Sequence, residues 1–380
     1  MQVDTTADAS IPAATLMLMP RAGVKGRGTV WAIEHRFTSQ RHESIDDGWG
    51  ALDQAAREER AAPGTQIIEQ RVKTILSGND SPDIPFDLSI NPYRGCEHGC
   101  VYCFARPTHS YLNLSPGLDF ETKIIAKVNA AERLRDAFAS DTYEALPLNI
   151  GSATDAYQPA ERRLRITRSL IEVLAEHRHP FSIITKSSGV ERDVDLLAPL
   201  ARDRLAAVYV SIPTLDGKLA RVMEPRASAP ARRLRTIERL AQAGIPVGVS
   251  VSPVIPFLNE PELESILERA RDAGATTAFA TVLRLPWEVS PLFQHWLQTH
   301  FPDRAARVMA RIRDLRGGRD NDSRFGQRMS GQGVWAQLLA QRVQKATHRL
   351  GLNRERVALD LSQFRRPVAA PASSAQQALF

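Results

Sequence analysis

Between residues 85 and 285, short β-rich runs alternate with amphipathic helical stretches, and no other feature of this 380-residue chain restricts its fold as much. The runs "FDLSI", "TKIIAKV", "LPLNIGS", "FSIITKS", "AAVYVSI", "PVGVSVSP" and "TTAFATVL" read as strands. Helical patterns separate them. "AAERLRDAF" follows a candidate cap, Asn129; "PAERRLRITRSLIEVLAEH" opens with Pro159; "APARRLRTIERLAQAG" ends at Gly244; and "EPELESILERARDAG" ends at Gly274. Strand followed by helix, repeated about six times, is the signature of a parallel sheet in an α/β fold. Periodicity alone fits a closed eight-fold barrel and a doubly wound sheet equally. The absence of a GxGxxG after the first strand argues against dinucleotide binding.

The flanks differ. Residues 1–84 lack sustained periodicity and read as an irregular N-terminal extension, partly disordered or draped over the core. After Leu285 the alternation stops. Residues 286–366 form a helical C-terminal segment in which "PDRAARVMARIRDLRGG" and "VWAQLLAQRVQKATHRLG" each keep an apolar stripe, and residues 367–380 read as a flexible tail. The net charge of +6 is uneven: residues 301–380 hold 15 Lys and Arg against 6 Asp and Glu, so the remainder is negative. Such a basic segment can track a phosphate backbone or simply be a solvated helical surface. No apolar run approaches the roughly 20 residues of a membrane span, so neither a membrane helix nor a signal peptide is expected.

All three cysteines, Cys96, Cys100 and Cys103, fall within "RGCEHGCVYCFAR" directly after the first strand of the alternation. Three thiols in eight positions do not make a secreted disulfide framework. They fit free thiols in a reducing cytoplasm, available to a metal. The βα loops at this end of a parallel sheet are where active sites gather, and the glycines before Cys96 and Cys100 suit a loop that curls tightly. A structural zinc needs a fourth ligand, for which His98 or His109 would have to serve. A [4Fe-4S] cluster held by three cysteines leaves one iron open for a ligand.

The Cys-x3-Cys-x2-Cys spacing with Tyr102 before the last cysteine resembles the radical S-adenosylmethionine superfamily. The likeness extends to "GSATDAYQPAE", "ITKS", "VSIPTLD", the Glu224-Pro225 pair and "SPVIPFLNE", in the order found in the spore photoproduct lyase-like branch, also called DNA repair photolyase-related. The tail "DSRFGQRMSGQGVWAQLLAQRV" is similar to that of an uncharacterised bacterial subgroup of it. The resemblance implies a partial (β/α)6 TIM-type barrel over residues 85–285, and a [4Fe-4S] cluster on the three cysteines whose open iron chelates S-adenosylmethionine. It further implies reductive cleavage of that cofactor to a 5′-deoxyadenosyl radical that abstracts hydrogen from the substrate, in a reaction of lyase or oxidoreductase type. An external electron donor such as flavodoxin or ferredoxin is the implied partner. Tyr102 is placed against the adenine and Ser152 and Lys186 against the methionyl part, with Ser211 a further candidate. Lys186 also follows physically: it ends the strand "FSIIT", where its ammonium can pair with a carboxylate.

Two departures limit the resemblance. Spore photoproduct lyases carry a further cysteine that returns hydrogen to the product radical and a tyrosine after the last cluster cysteine. Here no cysteine is left over, and Phe104 takes the tyrosine's place. The same hydrogen-return path therefore cannot operate. The acidic glycine-rich signature for the cofactor's amino group is replaced by "GSATD". The substrate is left open, nucleic acid being one class that the basic segment would suit. The alternative is a non-catalytic nucleic-acid-binding protein with a structural Fe-S or zinc site. Of the remaining residues, His98 is expected to shape the loop, Asp155 and Tyr157 to cap a helix before Pro159, and Arg232, Arg233 and Arg235 to form the polar face of their helix.

Overall fold

The computed structural model describes residues 26–29, 32–38, 64–355 and 357–367. Most of the expected N-terminal extension and nearly all of the tail lie outside them. In chain order the strands are β1 (Gln66–Gln70), β2 (Leu76–Gly78), β3 (Leu88–Ile90), β4 (Tyr93–Arg94), β5 (Lys123–Lys127), β6 (Leu148–Ile150), β7 (Phe181–Thr185), β8 (Ala206–Ser211), β9 (Val247–Val254) and β10 (Thr277–Val282). Strands β3, β6, β7, β8, β9 and β10 lie side by side in that order, each neighbouring pair parallel, and β2 joins β3 antiparallel at one edge. Strands β2 and β10 are the two edges of this sheet and do not pair with each other. The architecture is the partial (β/α)6 barrel expected, not a closed one.

Its two faces are chemically distinct. Ile90, Ile150, Ile183, Val208 and Val247 form one register row. All are buried in one cluster with Leu134, Leu170, Leu197, Ile237 and Leu267 from the surrounding helices. The intervening rows place Ser89, Asn149 and Ser182 side by side, and Ser211 beside Ser250, on the face turned away from the helices. Burying one face against helices is what drives the β-branched rows to that side, and the other face mixes these small polar residues with Ile184, Tyr209 and Phe279.

Four expectations are corrected. The run "TKIIAKV" has the texture of a barrel strand, but β5 belongs to a second sheet, between β1 and β4. Strands β1 and β2 fall in the stretch expected to be irregular, because their partners, β5 and β3, are distant in sequence. The helix expected from Pro159 is two, Glu161–Leu164 and Ile166–Glu176, broken at Arg165 with φ 52°. Here the Glu161 carboxylate accepts the Thr167 N–H at 3.0 Å and so caps the second helix. Asn129 does not cap with its side chain. It exchanges two hydrogen bonds with the Val72 backbone and ties down the link between β1 and β2.

Beyond β10 the chain forms helices Val289–His300, Pro302–Leu315 and Gly333–Leu350, the first of which the sequence reading had not singled out. They do not form a separate module. Leu285, Phe293, Trp296 and Ile312 share a buried cluster with Cys100, Val101 and Tyr102. The segment also covers the β10 edge: Asn353 exchanges side-chain hydrogen bonds with the Ala278 amide and carbonyl at 2.8 and 2.9 Å, and Met329 O accepts the Val282 N–H at 2.9 Å. Among the described residues no helix is long and apolar enough to cross a membrane.

Candidate functional site

The cysteine loop leaves β3 by way of the two-residue β4 and folds over the C-terminal ends of the parallel strands. Its curl depends on left-handed backbone at Gly95 (φ 80°) and Gly99 (φ 68°), where a side chain would be strained. At Gly95 a Cβ would also lie 2.9 Å from the Phe120 carbonyl. Short-range bonds from Gly99 N to Cys96 O, Cys103 N to Cys100 O and Arg106 N to Cys103 O turn the chain repeatedly back on itself. The loop is anchored at both sides. Cys96 N bonds Phe120 O at 2.8 Å, and Val101 N bonds Met223 O at 3.2 Å.

Buried charge fixes the loop from beneath. Arg106, with no exposed surface, donates Nε to the Cys100 carbonyl at 2.9 Å and Nη2 to Glu121 at 2.6 Å. Glu97, between two of the cysteines, accepts from Ala160 N at 2.6 Å and Thr65 Oγ1 at 2.7 Å, and lies 3.2 Å from Arg226. His98 is buried, its Nδ1 3.3 Å from Asp155. Asp155 caps the turn before the helix, accepting from Tyr157 N at 2.9 Å, and does more than the expected cap. It also accepts from Thr185 Oγ1 at 2.7 Å and Lys186 N at 2.6 Å, so one carboxylate couples the cysteine loop to the end of β7. Burial would raise its pKa, but His98 and these donors hold it well below the usual carboxylate range.

Cys96 and Cys100 are buried and Cys103 is half-buried. Burial pushes all three thiols up, so in the absence of a metal they stay protonated. Among the described residues, no three His, Cys, Asp or Glu side chains are grouped as ligands of one metal ion. A tetrahedral zinc needs such a group. His98 Nδ1 lies 3.3 Å from Asp155 and His109 Nε2 meets the Lys123 carbonyl at 3.0 Å, and neither candidate fourth ligand is grouped with two of the thiols. Three soft thiol donors on one curled, desolvated loop fit a polynuclear cluster, in which each thiolate takes a different iron.

The residues read as cofactor contacts stand at the ends of successive strands. Ser152 follows β6 and accepts from Asn91 Nδ2 at 3.2 Å. Lys186 follows β7, with Nζ 5.9 Å from the centroid of the Tyr102 ring and 4.0 Å from Glu224. Ser211 ends β8 and is buried, its carbonyl accepting from Arg233 Nη1 at 2.8 Å. Tyr102 is buried and its hydroxyl donates to Glu224. Glu224 pairs through its other oxygen with Arg233. Arg233 was expected on a solvated helical face but is 1% exposed. It lies in helical phase with Ile237 and Leu240 on the buried stripe, and that phase was the available signal.

The charges of this group act on one another. Burial works against the Glu224 carboxylate, but Arg233 and Lys186 bring its pKa below the ordinary value. Desolvation likewise works against the Lys186 ammonium, and Glu224, with Cys100 and Asp155 adding to it, more than offsets it. Burial raises the Tyr102 phenol, which stays neutral. Lys186 and Arg233 share the one carboxylate of Glu224, with Asp155 a further anion acting on Lys186, and the ammonium beside Tyr102 suits a carboxylate ligand.

The C-terminal basic surplus is partly spent inside the fold. Arg316 donates to the carbonyls of Leu283, Gln327 and Arg328, while Arg324, Arg328 and Arg342 pair with Asp322, Asp83 and Glu264.

Residues 90–270 match the family described as the Radical SAM superfamily. An uncharacterized protein of Mycobacterium tuberculosis is 36% identical over 234 residues, covering 61% of this chain and 68% of its own length. Another uncharacterized protein, from Methanocaldococcus jannaschii, is 26% identical over 238 residues, 63% and 85% of the two chains. Among solved structures, spore photoproduct lyase complexed with dinucleoside spore photoproduct superposes with a TM-score of 0.54 at 15% identity, over 75% of this chain and 80% of that one. That likeness establishes a shared fold. The family match and the mycobacterial relative show that this chain belongs to the radical SAM superfamily.

Proposed function

We propose that the protein is a radical S-adenosylmethionine enzyme in which Cys96, Cys100 and Cys103 hold a [4Fe-4S] cluster and the strand-end residues hold the cofactor. The observation that carries this reading is the loop itself: every thiol of the chain lies on one desolvated curl over the C-terminal ends of a partial parallel barrel. When bound, the cluster and S-adenosylmethionine supply reductive cleavage of the cofactor and a carbon radical that removes hydrogen from a substrate.

The chain's own part is positioning. Arg106, Glu97 and Asp155 hold the loop in place, and the cluster of Leu285, Phe293 and Trp296 keeps water from Cys100 and Tyr102. Lys186, beside Glu224 and Arg233, takes the cofactor's carboxylate. Tyr102 fixes Glu224, and its ring bounds the adenine side. Ser152 and Ser211 offer hydroxyls toward the methionyl part. An acidic electron-transfer protein such as a flavodoxin or ferredoxin supplies the electron.

Anaerobic reconstitution and reduction should yield 5′-deoxyadenosine from S-adenosylmethionine, and Cys→Ala at any of the three positions should abolish it. One zinc and no iron per chain after strictly anaerobic purification would overturn the proposal.

The helix Pro302–Leu315 favours a nucleic-acid substrate as a second element. Its Arg307 guanidinium stacks 3.9 Å from the Phe257 ring centroid, and Arg304 bonds the Phe257 carbonyl at 3.4 Å. Steeply salt-dependent DNA or RNA binding, weakened by Arg304→Ala with Arg307→Ala, is the expected result. Binding unchanged in the double variant removes this element and leaves the radical chemistry untouched.

A further inference from the structure

Tyr102 and Phe104 flank Cys103, and a cation stands near each ring: Lys186 near Tyr102, and Arg284, two residues past β10, at 5.3 Å from the centroid of the half-exposed Phe104. The two cations are not equivalent. Lys186 has Glu224 beside it, whereas among the described residues Arg284 has no carboxylate in contact. Its Nη1 reaches only the Met329 sulfur at 3.7 Å, and its buried Nε has no hydrogen-bond partner.

The surroundings deepen this imbalance. Three guanidiniums, Arg284, Arg316 and Arg328, gather where the segment 324–329 meets the end of β10. The nearest acid, Asp83, is consumed: Arg328 Nε takes one oxygen at 2.5 Å and Gly326 N the other at 2.7 Å. Asp322 is held by Arg324 at 2.6 Å. Arg316 is compensated by backbone carbonyls, with Leu283 O at 2.6 Å and Gln327 O at 2.9 Å. Arg284 alone of the three is hydrogen-bonded to neither acid nor carbonyl, and Asp83, already taken by Arg328 and Gly326, acts on it only through space. Burial and the Arg328 charge both lower its pKa, and the Asp83 charge offsets them only in part. Leaving a guanidinium desolvated without a counter-ion is costly unless a ligand supplies the anion.

We propose that Arg284, with Arg328 beside it, is an oxyanion-recognition site at the barrel mouth that takes a phosphate or carboxylate group of the substrate. This rests on the radical S-adenosylmethionine reading for the word substrate, and it narrows that substrate to molecules carrying such a group within reach of Phe104. A planar guanidinium fork matches either oxyanion in bidentate fashion. The edge without a hydrogen-bond partner, the buried Nε with a terminal nitrogen, is the one a fork would use when the side chain turns toward the ligand.

The test uses the full chain, anaerobically reconstituted and saturated with S-adenosylmethionine so that the open iron is not available to the probe. Inorganic phosphate is titrated calorimetrically into wild type, Arg284→Gln and Arg284→Lys, with acetate as competitor to separate phosphate from carboxylate preference. Phosphate affinity is expected to fall about tenfold or more in Arg284→Gln, with partial retention in Arg284→Lys. The midpoint of thermal unfolding should stay level or rise in Arg284→Gln, because an uncompensated charge has gone. Cofactor cleavage without substrate should persist. Equal phosphate affinity in wild type and Arg284→Gln would overturn the proposal. So would a large drop in the unfolding midpoint, which would make Arg284 a packing residue, or weakened S-adenosylmethionine binding in Arg284→Gln, which would give the site to the cofactor. Absence of cofactor cleavage in wild type would sink the parent reading instead, since phosphate binding is read separately.

Discussion

Arg106 and Glu121 face each other at 2.6 Å with neither side chain exposed, and the same guanidinium holds the Cys100 carbonyl. Removing one member strands the other as a buried charge, at a cost of about 3–5 kcal/mol. Glu121→Gln and Arg106→Met should each lower stability by that order in urea unfolding and reduce the iron bound per chain. Arg106→Met with Glu121→Leu should recover part of the stability but not the iron, because the Cys100 carbonyl still lacks its donor. Equal iron in all variants would show that the pair does not set the loop.

The two loop glycines make a sharper contrast. Gly99→Ala would place a methyl 2.7 Å from the Glu121 carboxylate on left-handed backbone, and Gly95→Ala would place one against the Phe120 carbonyl. Each should cost roughly 1–3 kcal/mol and depress cluster loading. Gly217→Ala, at the start of helix Gly217–Met223 with open space around it, should leave both measurements unchanged.

Histidine titration supplies a pH prediction far from the cysteines. Burial lowers the His179 pKa from 6.5 to about 4, with His177 adding to the effect; its ring stacks on Phe138 and meets the Tyr143 hydroxyl at 2.8 Å. The unfolded chain takes up this proton near pH 6.5 and the folded chain only near 4. In that window the unfolded state binds more protons, so stability falls as the pH drops through it and is level above it. The contribution is about 3 kcal/mol. Denaturant midpoints at pH 7, 5.5 and 4.5 should fall more steeply for wild type than for His179→Gln. Parallel profiles would refute the assignment.

Charge at the cofactor side gives a prediction of affinity. Lys186→Met should raise the dissociation constant for S-adenosylmethionine about tenfold or more. Arg233→Met should also weaken binding although its guanidinium is bound to Glu224 and the Ser211 carbonyl, because Glu224 would then fully neutralise Lys186. Equilibrium dialysis of the reconstituted protein checks both. Unaltered affinity in Lys186→Met would remove that residue from the cofactor site.

How far the sequence could be read followed the range of the interaction. The cysteine loop and its glycines are local and were legible outright. The βα alternation was legible because each βα unit from β6 to β10 pairs with the next. Strand β5 was misplaced because "KIIAK" has the texture of a barrel strand and only its distant pairing with β1 distinguishes it. Only the local part of the Asp155 role, its bond from Tyr157 N, was legible, because its other partners, His98 and Lys186, are set by tertiary packing. The helix Val289–His300 was passed over because its apolar residues face the cysteine loop rather than a helix-sheet core of its own.

Asn353 reproduces with one side-chain amide the donor and acceptor that an eleventh strand would have offered Ala278. The barrel is thus finished by imitation rather than closure. An edge strand that lost this plug would become adhesive to other copies of itself, so shortened versions of the protein ending before residue 353 carry a self-association hazard unrelated to their chemistry.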